Sequence, residues 1–294
     1  MVDLTAASDF MATHARLLDR RRFDVVVHGA PLDGALAALA AHRNPDGGYG
    51  WGLEPDLRAI ESQPGPALHA FEVFQDIAPA TSPHAVELCD WLESVTLPDG
   101  GLPFALPVGS GAGCAPFWAN ADPTVSSLQI TAVVTSIAQR VAEHDPRVAG
   151  HSWLARATDH CLGAIAAKAD DWFAMELAFS VQLLDAAHDR RPEAADVLAG
   201  LREHIPASGL VPVTGGAEGE TMRPLDFAPL PGGPARELFV PDTIAADLER
   251  LENAQEDDGG WRVDFENYSP AAELEWRGHM TVRAISILKR NGRL

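Results

Sequence analysis

Hydrophobic and polar positions along the chain sort into two kinds of helical stretch. In 241–255, Asp242, Asp247, Glu249, Arg250 and Glu252 surround Ile244, Leu248 and Leu251, which recur at helical spacing. Segment 82–96 reads the same way. Ser82 can cap, Pro83 suits the first helical position, and Leu88, Trp91, Leu92 and Val95 form the apolar stripe. By contrast, 62–71 and 124–139 carry no charged residue and are apolar nearly all the way round, which predicts helices buried on most sides. Segment 270–290 is a further buried-helix candidate, with more charge. Strands are not expected, because long alternating β-branched runs are missing. Pro224, Pro229, Pro231 and Pro234 within 220–236 predict that one buried helix is broken or replaced by a loop.

The two kinds of helix are joined by near-identical turns: Asn44-Pro45-Asp46-Gly47-Gly48-Tyr49, Leu97-Pro98-Asp99-Gly100-Gly101-Leu102 and Glu256-Asp257-Asp258-Gly259-Gly260-Trp261. Asp46 and Asp99 are 53 residues apart, and Asp99 and Asp258 are 159 apart, three such periods. A weakened copy stands at Ala207-Ser208-Gly209-Leu210-Val211-Pro212. The copy due near residue 152 is not distinct: Gly150-His151-Ser152-Trp153 matches poorly, and Ala169-Asp170-Asp171-Trp172 competes with it. A period of this size predicts a stacked or closed array, not independent units. The unit is an exposed helix, an Asp-Gly-Gly turn and a buried helix. About five to six such hairpins in a single domain over 1–294, with outer helices around inner ones, make an all-α, α/α toroid the expected fold.

The run Gln255-Glu256-Asp257-Asp258-Gly259-Gly260-Trp261 resembles the repeat of squalene–hopene cyclases and related terpene cyclases. Trp276-Arg277-Gly278-His279-Met280-Thr281, leading into 284–288, resembles that family's next inner helix, and Asp46-Gly47-Gly48-Tyr49-Gly50-Trp51-Gly52 is a second match. The β-subunits of protein prenyltransferases use a similar ring. The resemblance implies an α/α toroid and protonation-initiated carbocation chemistry on a prenyl diphosphate or related polyene, held in a central apolar cavity. A non-catalytic lipid- or isoprenoid-binding or accessory protein on the same toroid is the alternative. Gln255 and Trp261 are expected to brace adjacent helices.

The family's Asp-x-Asp-Asp acid motif has no copy here, so the acid is sought elsewhere. The connection from Gly48 to Ser62 is long and gathers Trp51, Glu54, Asp56, Arg58 and Glu61 before an inner helix. Long ordered loops of this kind are disproportionately functional. Asp56, with Glu54, is the first candidate proton donor, with Arg58 either beside it at a cavity mouth or simply its ion-pair partner. A second loop, 104–123, offers Asp122 as acid or as cap of the following helix, and Phe117 and Trp118 as cavity wall or lid. His69 is a core histidine or a cavity-lining base. Phe71, Phe74, Trp118 and Trp172 are expected to shield a cation, with Trp51, Arg58 and His69 also contacting substrate. Asp170 or Asp171 is expected to cap a helix. Asp171 and Glu176, five apart, do not converge on one magnesium ion.

Composition narrows the partners. Twenty-two basic against 42 acidic residues give a net charge of −20, which argues against nucleic acid and anionic membranes as main partners. A small hydrophobic isoprenoid is the expected ligand, with magnesium implied only for a diphosphate and the oligomeric state open. Cys89, Cys114 and Cys161 lie in unrelated parts of the repeat, so neither a disulfide framework nor a zinc site is expected, and a reducing cytoplasm is. The first ten residues carry no basic segment and no long apolar run, so no signal peptide is expected. No stretch is expected to span a membrane. Nothing in the acidic loops has spacing diagnostic of a carbohydrate-active barrel.

Overall fold

A computed structural model describes residues 1–294, and it is mostly helical. Fourteen α-helices follow one another: α1 (Leu4–Thr13), α2 (Leu17–His28), α3 (Asp33–Ala40), α4 (Pro64–Asp76), α5 (Pro83–Val95), α6 (Pro116–Ala119), α7 (Leu128–Ala142), α8 (Pro146–Ala149), α9 (Ser152–Ala167), α10 (Ala174–Ala187), α11 (Glu193–Gly200), α12 (Pro224–Phe227), α13 (Pro241–Asn253) and α14 (Pro270–Arg290). The only strands are β1 (Val211–Pro212) and β2 (Thr221–Met222), a two-residue antiparallel pair. No helix is long and apolar enough to cross a membrane.

The expected helices are present with shifted ends. Ser82 caps α5, accepting from the His84 amide at 3.3 Å. The stretch at 62–71 continues past Phe71 to Asp76, which brings Glu72 and Asp76 onto α4. α7 begins at Leu128 under a Ser127 cap, four residues later than the uncharged stretch suggests. Asp122 therefore caps a local turn, not that helix: its Oδ1 accepts from the Thr124 amide at 2.8 Å and the Thr124 hydroxyl at 2.6 Å. Asp170 and Asp171 do not cap α10 either. Phe173 holds that position without a side-chain bond, and Asp171 faces Lys168 at 3.8 Å. The prolines of 220–236 leave only the single turn α12 and a 3₁₀ turn at Pro234–Leu238.

The three Asp-Gly-Gly turns share one geometry. The first glycine takes φ near +93° in each (Gly47 +93°, Gly100 +94°, Gly259 +92°), a conformation open to glycine and costly for other residues. The aspartate two residues before the second glycine accepts from that glycine's amide: Asp46 from Gly48 at 2.9 Å, Asp99 from Gly101 at 3.1 Å and Asp258 from Gly260 at 3.1 Å. Ser208 repeats the contact toward Leu210 at 3.3 Å, with Gly209 at φ +70°, so the weakened copy is a real turn of the same kind. Each turn abuts another helix. A Cβ on Gly47 would lie 2.9 Å from the Glu87 carbonyl of α5, one on Gly100 3.2 Å from His160 of α9, and one on Gly259 against the Ala6 carbonyl of α1.

The last turn thus docks on the first helix. Gln255 completes that join, accepting from the Asp3 amide at 2.7 Å and donating to the Asp3 carbonyl at 2.8 Å. Trp261 donates from Nε1 to the Leu251 carbonyl at 2.9 Å, so both residues brace neighbouring segments. Contacts pass from α2 to α4, α7, α10, α12, α13 and α14, and α14 packs back on α2 and α1. Two apolar cores lie along this path. One gathers around α4, α5 and α7, the other around α10, α13 and α14. Replacing Gly259 by Ala should destabilise the fold by about 2 kcal/mol or more in urea unfolding, since it adds left-handed strain to an occupied volume. Gly163→Ala, mid-helix with open space around it, should stabilise by up to about 1 kcal/mol. Equal effects would show that the turns do not carry the packing.

Candidate functional site

The loop 49–63 leads from the first turn to α4 and is largely buried, although it has no regular structure. Its acids split in direction. Glu54 accepts from the Asp56 amide at 3.1 Å through Oε1, and its Oε2 meets His69 Nε2 at 2.9 Å. The Asp56 Oδ2 accepts from Trp276 Nε1 of α14 at 2.7 Å, and Oδ1 is buried without a partner. Arg58 pairs with neither. It forms a two-pronged bond to Glu275, at 2.7 and 3.1 Å. Burial raises the Asp56 pKa. The Trp276 bond opposes that shift, the nearby Glu54 charge adds to it, and the carboxyl is pushed up to about 6.

His69, Glu72 and Asp76 recur at i, i+3 and i+7 on α4 and so share one stripe. Opposite them stand Arg22 of α2 and His279 of α14. As an imidazolium, His69 donates from Nδ1 to Glu72 Oε2 at 3.0 Å as well as to Glu54. Arg22 donates to Asp76 at 2.7 Å, to Glu72 at 3.2 Å and to His279 Nδ1 at 3.4 Å. Burial alone would lower the His69 pKa, but Glu72 and Glu54 outweigh it and push the imidazole up to about 9. For Glu72, burial is outweighed by the charges of His69 and Arg22, which hold the carboxyl well below the usual range. His279 goes the other way. Burial, with His69 and Arg22 beside it, keeps it well below the ordinary histidine value despite Glu72, so it is neutral. Asp19 of α2 is fully buried and bonded to Arg16 at 2.6 Å, while Arg16 also donates to the Leu53 carbonyl at 2.8 Å.

Three loops that precede buried helices meet at this end. Ala115 donates to the Asp56 carbonyl at 2.8 Å, tying loop 104–123 to loop 49–63. Phe117 packs edge-on against Tyr268 at 5.6 Å, and Phe265 against Trp276 at 5.1 Å. Trp118 leans on Phe104 at 4.5 Å and covers Gly65 at the start of α4. A cleft of about 540 Å³ opens beside the cluster, lined by Arg16, Arg21, His42, Trp51, Arg58 and Glu275. Trp51 is half exposed on its rim at φ +54°, its indole donating to Asn44 at 2.8 Å.

Of the residues singled out from sequence, Glu54, Asp56, Arg58, His69, Trp51 and Trp118 come together here. The others do not. Phe71 is fully buried and stacked on Trp153 of α9 at 6.2 Å, with Phe74 edge-on to it, so both fill the apolar core. Their spacing is that of a buried helix, and the side they occupy turns toward α9. Asp122 is exposed and lines a separate groove of about 510 Å³ with Phe104, Phe117, Phe173 and Glu176. Trp172 belongs to the other core, under Lys168, whose Nζ is 5.3 Å from the ring centroid. That lysine also bonds Glu176 at 2.9 Å, filling the space between Asp171 and Glu176 with positive charge. Glu72, Asp76 and Arg22 were not anticipated. The signal was charge on a helix otherwise free of it, and i, i+3 pairing of His69 with Glu72 and of Trp276 with His279.

No protein-family model matches the chain, and no curated protein matches it. Arg22→Met should destabilise by about 3 kcal/mol or more in denaturant titration, because it strands Glu72 and Asp76 without their buried cation. Arg21→Met, which breaks only the exposed pair with Asp24, should cost at most about 1 kcal/mol. A small effect at Arg22 would mean that water reaches the cluster freely.

Proposed function

We propose that the chain is an α/α toroid in which Asp56 is the general acid of a terpene cyclase-like enzyme acting on an isoprenoid. The ring reading is supported by the return of α14 to α2 and by the docking of the last turn on α1. The observation that carries the chemistry is Asp56 itself. It is a buried carboxyl whose pKa is pushed up to about 6, with one oxygen fixed by Trp276 and the other without a partner. Below about pH 6 this acid is protonated and can deliver its proton from the free oxygen to an alkene. The π electrons move to the new C–H bond, and the adjacent carbon becomes the cation. The rings gathered here, Trp276, Phe265, Tyr268 and Phe117, suit that charge.

Arg16, Arg21 and Arg58 in the cleft suit an anionic head group, which favours a prenyl diphosphate. Magnesium does not fit this cleft. Its carboxylate, Glu275, is engaged by Arg58. Three unpaired cysteines support a cytoplasmic setting. One observation favours the alternative, a non-catalytic isoprenoid-binding or accessory protein: Phe71 and Phe74 are spent on interlayer packing and leave a thinner aromatic wall.

Farnesyl and geranylgeranyl diphosphates, incubated with the protein and read by mass spectrometry, separate the two. Turnover is expected to fall by about 10²–10⁴-fold in Asp56→Asn, to decline in the wild type as pH rises through about 6, and to persist in Asp122→Asn. Bound but unchanged substrate would establish the alternative. The stability sign follows from the same shift. A raised carboxyl pKa contributes stability that is complete below about 4 and is lost as pH rises through about 6. The melting temperature of wild type relative to Asp56→Asn should therefore drop across that interval. Parallel curves would refute the raised pKa.

A further inference from the structure

We propose that His69, Glu72 and His279 form a binding site for one divalent transition-metal ion, with Zn²⁺ the ion whose preferences they fit. The donor atoms Nδ1 of His69, Oε2 of Glu72 and Nδ1 of His279 lie within 4.8 Å of one another. Glu72 Oε2 is 3.0 Å from His69 Nδ1 and 3.6 Å from His279 Nδ1. Two imidazoles and one carboxylate are a recurrent three-ligand set for zinc, leaving a coordination position open. Two of the donors sit at i, i+3 on α4, one helical face, and the third arrives from α14, so rigid elements aim all three.

A second observation points the same way. Glu54 Oε2 lies 2.9 Å from Nε2 of His69, the ring nitrogen opposite the metal-facing one. A carboxylate there fixes the ring through Nε2–H, the usual support of a metal-bound histidine, and an entering ion takes the place of the Nδ1 proton now held between His69 and Glu72, so binding releases one proton. The charge count also suits a dication. Asp19, Glu54, Glu72 and Asp76 set four carboxylates against the guanidiniums of Arg16 and Arg22, so with neutral imidazole ligands the cluster has two negative charges in excess. Glu72 keeps 18% of its side chain exposed, which gives the ion an access route. Arg22 is the competitor. Its Nη1 touches both Glu72 and His279, and an ion entering requires it to release His279 while Nε stays on Asp76. The site does not rest on the acid role of Asp56, and its readout is binding, not turnover.

The test uses the full chain, stripped with a chelator and titrated with Zn²⁺ by calorimetry and with Co²⁺ by visible absorption and proton NMR. One equivalent of Zn²⁺ should bind and raise the melting temperature. Binding should be lost in Glu72→Gln and His279→Gln, and weaken about 10–100-fold in Glu54→Gln. The wild-type Co²⁺ complex should show paramagnetically shifted ring protons from two histidines, a reading that needs no variant to fold. Failure of the folded wild type to take up stoichiometric metal overturns the proposal. So does one-equivalent binding with no shifted histidine, or wild-type affinity in both folded ligand variants. In each of those cases the cluster is an ion-pair network only.

Discussion

The constraint on which this architecture leans is the positive φ of one glycine in each Asp-Gly-Gly turn. With φ near +93°, the chain reverses in a single step, and the preceding aspartate satisfies the amide that the reversal exposes. The missing side chain matters as much as the dihedral. The volume that a Cβ would take is filled by another helix, so each turn both reverses the chain and seats a packing partner. That double role also explains how the chain's two ends meet. The turn at 258–260 finds its partner in α1, and Gln255 bonds both polar groups of the Asp3 backbone.

A repeat assembled by turns leaves the helices free to carry something other than packing. On α4 that freedom is used for charge. The first two turns of the helix are apolar and small, with Gly65 admitting Trp118, whereas its later part aligns His69, Glu72 and Asp76 toward α2 and α14. Burying so many ionisable groups is tolerable only when each finds a partner, because an isolated charge in such surroundings would cost several kcal/mol. Arg22 supplies the central one, reaching Asp76, Glu72 and His279 from one guanidinium. Gly278 allows the approach that makes this possible: a Cβ there would meet Ala15 at 3.0 Å and Asp19 at 3.3 Å.

Periodicity made the helices and turns legible, because both follow from local rules. A stripe of Leu88, Trp91, Leu92 and Val95 can bury only one face, and Ser82-Pro83 can begin only one kind of element. Proline likewise made the interrupted segment before α13 readable. What stayed hidden depends on distance in sequence. Arg58 is four residues from Glu54 and two from Asp56, yet its partner is Glu275, more than two hundred residues away. Phe71 looked like a cavity residue because a helix apolar on all sides does not say which side faces its neighbours; Trp153 decided it. Asp122 suggested a helix cap by adjacency, but Ser127, closer to where the backbone turns, took that place. His69 stands in the sequence without its partners, since the uncharged run ends at Phe71, one residue short of Glu72.

The two carboxyls of the 49–63 loop illustrate how a fold assigns different work to similar groups. Glu54 and Asp56 are separated by one proline and share a hydrogen bond through the Asp56 amide. Their side chains meet unlike partners. Glu54 reaches an imidazole, which can carry a full positive charge. Asp56 reaches an indole N–H, which offers a hydrogen bond but no charge. Burial raises the Asp56 carboxyl, and a neutral donor offsets that less than a cation would. Arg58 could have equalised the pair, since its charge lies close to Asp56. Glu275 instead draws it to the cleft wall with two bonds. The difference between the acids is therefore made by α14, which delivers Glu275 and Trp276 as consecutive residues. One removes the cation from Asp56 and the other replaces it with an uncharged donor.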